Sequence, residues 1–260
     1  MMKNKGLKLI AAFALIVLML GSVACGRLVW VSDSSTEQPS NQTEAPIVPE
    51  NDTQEPEKET PEPESPIKKN GKAVSSAEQL SMYDIVTFGS YVQSEMGSET
   101  PIEWIVIKIS GNKVRLMSKY CLDSHRYHSK KDEMVEFKDS ELYRWLNKEF
   151  KKDAFSEEER QMLTDGITLL DRTEVMKLPK EYRKATATEY AIEVSDFNVK
   201  KDFWWLGESC EDPVDEWNEE TWDYEDCYCA YAMKGDGTDI WSFAMTFHGK
   251  GVRPVVTIQF

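Results

Sequence analysis

The residues best suited to chemistry crowd into one stretch of the chain. Between Glu208 and Asp226 lie ten carboxylates and no base, with Trp217, Trp222 and Tyr224 interleaved. Calcium takes roughly six to eight hard oxygen ligands, and carboxylates spaced along a loop can supply them. Asp212, Asp215, Glu216 and Asn218 are the best-grouped candidates for such a Ca2+ site. No EF-hand spacing is present, so the alternative is a solvated surface whose charge aids solubility and repels neighbours. Aromatic faces beside carboxylates suit sugars, or cationic ligands through cation–π attraction. The other reading of the rings is that they pin the stretch to the core.

Cysteines border the same stretch. Apart from Cys25, the chain has Cys121, Cys210, Cys227 and Cys229. An even count permits disulfides if the domain is exported. Cys227 and Cys229 point to one face of a strand and are poorly placed to bond each other. Cys210 with Cys227 or Cys229 would staple the acidic stretch, and four reduced thiols is the alternative. Cys-Tyr-Cys is a poor zinc spacing. His125 and His128 fall in the basic stretch Ser124–Lys131, read as an exposed loop rather than a metal pair. No nucleophile elbow, phosphate loop or zinc-protease helix occurs. A catalytic role would need pKa-shifted carboxylates or a reactive thiol such as Cys227 or Cys229. Net charge −15 argues against nucleic acid as a partner.

Export is written at the front. Lys3, Lys5 and Lys8 precede the apolar run Leu9–Leu20, and Gly21-Ser22-Val23-Ala24-Cys25 follows. This is the charged, apolar, small-residue layout of an export signal. It resembles the lipobox of bacterial lipoproteins, although Ser22 stands where that pattern prefers Leu. The resemblance implies a signal over 1–24, lipidation of Cys25, and an extracytoplasmic protein held at the cell membrane. An uncleaved helical anchor over Leu9–Val31 and a soluble secreted form are the alternatives. Residues 25–75 then read as a lipid-anchored linker rich in Pro, Glu, Thr and Ser, without apolar periodicity. Such composition buries too little apolar surface to offset its ordering entropy.

Residues 76–260 carry the elements that must position the acidic stretch. Asp84–Phe88 reads as a strand ending at Gly89. Ile102–Ile109 and Lys113–Met117 form a hairpin around Gly111-Asn112. The period then changes. Ser140 caps a helix over Glu141–Phe150, and Ser156 with Glu159 forms a capping box for a second. Ile167–Leu170 is a buried strand candidate, and Thr173–Leu178 and Thr188–Val194 read as short helices. Phe203–Leu206, Tyr228–Met233, Trp241–Phe247 and Val252–Ile258 read as strands, with turns at Gly235-Asp236-Gly237 and Gly249-Lys250-Gly251. The expected fold is α+β: a small twisted antiparallel sheet with several short helices on one side and long loops.

These segments in this order resemble a large bacterial family of uncharacterised extracytoplasmic domains. The similarity is carried by Asp84–Tyr91, Pro101–Val106, Leu116–Tyr120, Ser140–Asn147, Ala154–Glu159, Trp204-Trp205-Leu206-Gly207 and Gly251-Val252-Arg253-Pro254. The family's closing motifs are similar to those of formylglycine-generating-enzyme-like and C-type-lectin-like folds. That likeness implies a loop-rich binding platform, with Trp205 beside the acidic stretch on the binding face. Gly207-Glu208 stands where the family usually has Arg-Ser. Arg253, beside Pro254 in the closing strand, is expected to be structural and paired with a carboxylate.

The expected protein is therefore a lipid-anchored, non-catalytic, lectin-like binding module at the bacterial surface. Its partners would be a cell-wall glycan or a surface protein. An enzyme acting on envelope polymers or surface proteins, and a structural envelope component, are the alternatives.

Overall fold

The computed structural model describes residues 65–94, 96–195, 203–218 and 223–260. The proposed signal, Cys25, most of the expected linker and Trp222 lie outside them. Among the described residues no helix is long and apolar enough to cross a membrane.

Thirteen strands are described: β1 (Lys68–Lys69), β2 (Lys72–Ala73), β3 (Ile85–Val92), β4 (Glu99–Ser110), β5 (Lys113–Ser118), β6 (Asp123–Arg126), β7 (Phe203–Ser209), β8 (Val214–Asn218), β9 (Asp223–Cys227), β10 (Cys229–Lys234), β11 (Ile240–Met245), β12 (Gly249–Val252) and β13 (Val255–Gln259). The short helices are α1 (Glu141–Trp145), α2 (Lys151–Ala154), α3 (Glu157–Met162), α4 (Arg172–Lys177), α5 (Lys180–Arg183) and α6 (Glu189–Glu193). The fold is α+β, as the sequence implied. In place of one small sheet, the strands form a six-stranded antiparallel sheet (β13-β5-β4-β3-β1-β2), a five-stranded sheet (β11-β10-β7-β12-β6) and the two-stranded ribbon β8-β9.

The folded part begins earlier than Ser76. β1 pairs with β3, and Ile67 and Val74 are buried, so the expected linker yields to structure within 65–75. β3 does not stop at Gly89 either. It passes through Gly89 at φ +69°, where its register against β4 shifts between Thr87 and Ser90. A Cβ at Gly89 would come within 2.5 Å of the Ala154 carbonyl, so only glycine lets the bulged strand lie this close to the end of α2.

The helical expectations hold with shifted bounds, the first running on to Ala154. The Ser140 side chain accepts from Tyr143 N, and the Ser156–Glu159 capping box is formed. Between α1 and α2 the chain continues through a π-helical turn, Leu146–Phe150, which keeps Leu142, Leu146 and Phe150 in the core. Ile167–Leu170 is largely buried but contributes only an isolated bridge, Thr168 with Val255.

Two expected loops prove to be strands that pair with each other. Gly249-Lys250-Gly251 opens β12, and the basic stretch at His125 belongs to β6, with Lys250 opposite His125. β12 also lies parallel to β7. At Arg253-Pro254 the closing segment leaves the five-stranded sheet, and β13 joins β5 in the six-stranded one. Proline has no N–H for a ladder, which suits it to this change of sheets.

Candidate functional site

Arg253 anchors that change. It is fully buried, but its partners are not the carboxylate the sequence suggested. Nε donates to Ser118 O at 2.8 Å, Nη1 to Tyr182 O at 2.9 Å and Nη2 to Lys119 O at 3.4 Å. Its guanidinium carbon lies 5.1 Å from the centre of the Trp204 ring. Burial lowers its pKa to about 10, still charged at neutral pH. Three carbonyl dipoles from two segments, Ser118-Lys119 and Tyr182, take the place of a counter-ion.

Trp205 is also structural. It is 0 % exposed, its Nε1 donates to His125 O at 2.8 Å, and its ring meets Tyr127 edge-on at 5.4 Å. The expectation of a ligand-binding Trp205 is corrected. β7 is covered on both faces, so Trp205 enters one core cluster while Trp204 and Leu206 enter another, and burying so large an apolar ring is stabilising. Trp217 and Tyr224 are register partners on the β8-β9 ribbon. Their side chains, and those of Glu216 and Asn218, lie outside the described residues.

Of the expected calcium ligands, Asp212 precedes the ribbon, and Asp215, Glu216 and Asn218 stand on β8. Asp215 is opposite Asp226, Glu216 opposite Glu225 and Asn218 opposite Asp223. Among the described residues no group of three or more His, Cys, Asp or Glu is placed to hold a metal ion. His125 stacks on Trp145 at 4.8 Å, and His128 is buried with its ring 3.9 Å from Glu133 and 4.0 Å from Glu141.

What converges lies at the root of the ribbon. Arg172, Cys210, Glu211, Asp212, Pro213, Cys229, Tyr231 and Ser242 line a pocket of about 380 Å³. Cys210 directly follows β7, and its backbone N–H donates to Cys229 O on β10 at 2.9 Å. Both sulfurs lie on one acceptor, the Ser242 carbonyl, at 2.8 Å from Cys210 and 3.0 Å from Cys229. None of the four described cysteines is in a disulfide, so the expected staple is not closed. Cys210 is neighboured by Cys229, whereas Cys227 sits opposite Val214 on the ribbon.

Arg172 opens α4, whose N-terminus is held by the Asp171–Glu174 capping box. Its Nε and Nη2 donate to Glu208 Oε1 at 2.9 and 2.5 Å, and its backbone N–H donates to Glu208 Oε2 at 3.2 Å. The guanidinium carbon lies 3.8 Å over the Tyr231 ring. The hydrogen bonds from Arg172 hold the Glu208 carboxyl below its usual value, and the same bonds raise Arg172. Gly207 contributes through its size. A Cβ there would come within 3.2 Å of Leu169 O and of the Phe137 ring. Glycine at 207 thus lets β7 pack closely, and the next residue, Glu208, meets Arg172.

Sequence reasoning found Cys210, Cys229 and Asp212 but missed Arg172, Tyr231 and Ser242. Alternation from Cys229 could have marked Tyr231, two residues on. Nothing local marks Arg172, which lies 36 residues before Glu208.

The family model described as "Domain of unknown function (DUF6273)" matches residues 111–260. The chain belongs to that family. The match begins in the turn between β4 and β5, so Asp84–Tyr91 and Pro101–Val106 precede it, although β3 and β4 pair within the same sheet as β5 and β13. No curated protein and no solved structure matches the chain.

Proposed function

We propose that this DUF6273 protein is a lipid-anchored, extracytoplasmic binding module, tethered to the cell membrane through Cys25, whose binding face is the pocket at Arg172 together with the acidic ribbon. The arrangement of short helices and long loops is compatible with a C-type-lectin-like platform. The observation that supports the reading is the opening of a polar pocket at the foot of the ribbon, with exposed Glu211 and Asp212 at its rim. Glu208 is already engaged by Arg172, so the rim acids are the ones left to a ligand. Ten acids without a base select for cationic groups, such as the ammonium groups of an amino-sugar glycan or a lysine-rich surface of a neighbouring protein.

The test is titration of the full chain with glucosamine oligomers and with their N-acetylated counterparts, followed by calorimetry. Binding of the cationic oligomer alone, weakened by salt and by Glu211→Gln with Asp212→Asn, is the expected result. Equal behaviour of the two oligomers would remove charge recognition from the proposal.

A further inference from the structure

We propose that Cys210 and Cys229 are a reversible dithiol–disulfide pair that exchanges with low-molecular-weight disulfides entering the Arg172–Tyr231–Ser242 pocket. This inference stands apart from the ligand reading above.

The first argument is register. Ser209 pairs with Ala230, so the continued register sets Cys210 opposite Cys229, and the Cys210 N–H donates to Cys229 O at 2.9 Å. Facing residues of antiparallel strands hold their Cα atoms about 4.5–5.5 Å apart, within the range that disulfides span. The second argument is side-chain placement. Both sulfurs reach the same Ser242 carbonyl, so they already converge on one point. The third is access. Cys210 and Cys229 are 6 % and 1 % exposed, yet both line the pocket wall. Cys121 and Cys227 are buried and line none of the described pockets.

The environment divides the roles. A hydrogen bond from the Cys210 thiol lowers the Cys229 pKa, with burial opposing. The same bond, helped by burial, raises Cys210. On ionisation of Cys229, the Cys210 proton turns from the Ser242 carbonyl toward the new thiolate. Cys229 is therefore the attacking sulfur and Cys210 the resolving one.

The steps balance. The Cys229 thiolate attacks one sulfur of RSSR; the Cys229–SR bond forms, the RS–SR bond breaks, and RS⁻ leaves and takes up the proton Cys229 released. The Cys210 sulfur then attacks the Cys229 sulfur; the protein disulfide forms and a second RS⁻ leaves, taking the Cys210 proton. Two protein thiols are oxidised and one RSSR is reduced to two RSH.

The experiment exposes the full chain to oxidised glutathione at neutral pH, alkylates the remaining thiols and maps the peptides by mass spectrometry. The expected product is a Cys210–Cys229 link, reversed by dithiothreitol, with Cys121 and Cys227 alkylated only after unfolding. Cys210→Ser should arrest the reaction as a stable Cys229–glutathione adduct, which Cys229→Ser should not form. Four unmodified thiols in the native protein, or a link through Cys227, overturns the proposal, and the wild-type map needs no variant to show it. Binding of the glucosamine oligomer by the reduced chain is read separately, so failure of one inference leaves the other standing.

Discussion

Two arginine–cysteine neighbourhoods in this molecule use the same residue types to opposite ends. At the junction of β12 and β13, Arg253 is wholly buried, and the nearby Cys121 thiol is pushed up to about 12 by burial despite that positive charge. At the ribbon's root, Arg172 is paired with a carboxylate, stacked on Tyr231 and open to a pocket with two thiols. In the first place desolvation dominates, and the charge is tolerated because carbonyls close around it. In the second, solvent and a counter-ion keep the charge cheap and the thiols within reach. Residue type proposes chemistry; burial and partners decide whether any is done.

Thiol reactivity should divide the two places most sharply. With the Cys229 thiol lowered by its bond to Cys210 and Cys121 pushed up to about 12 by burial, native alkylation of Cys229 should outpace that of Cys121 by about tenfold or more. Comparable rates from time-resolved mass spectrometry would dissolve the contrast.

Trp205→Ala should cost about 3–5 kcal/mol in denaturant unfolding, the usual loss for a truncated core aromatic. A stable variant with weakened glucosamine-oligomer binding would instead return Trp205 to the binding face.

Arg253→Met leaves three carbonyl acceptors without their donor, and a loss of about 3 kcal/mol is expected. Arg253→Lys should recover only part of it, because one ammonium cannot reproduce the planar fork. Full recovery would mean that charge, and not the fork, holds the junction.

Glu208→Gln is the smallest effect, under about 1 kcal/mol, because the ion pair is partly exposed. Its sign is definite. The folded-state pKa of Glu208 is depressed, so its contribution is present above the ordinary value of 4.5 and lost as pH falls through the folded value. Wild type and variant should therefore converge in stability at acid pH. A gap that persists there would show that the pair acts through packing of Arg172 on Tyr231.

Much of the α+β reading was legible because strand alternation and helix caps are local. Lys113–Met117 alternates, and Ser156 with Glu159 forms its box from residues three apart. Boundaries failed where contacts between distant segments overrode local signals. Gly89 reads as a stop, yet it is the residue that lets β3 bulge past Ala154. Gly249-Lys250-Gly251 reads as a turn, yet β6 and β7 recruit it as a strand.

The sequence by itself determined the export-like front, the acidity of Glu208–Asp226 and the nearness of Cys210, Cys227 and Cys229 along the chain. Only the tertiary structure decided that Cys229 is the neighbour of Cys210, that Arg172 meets Glu208 and Tyr231, and that Trp205 faces inward. Those outcomes depend on strand register and on the packing of segments far apart in the chain, which neither composition nor spacing encodes.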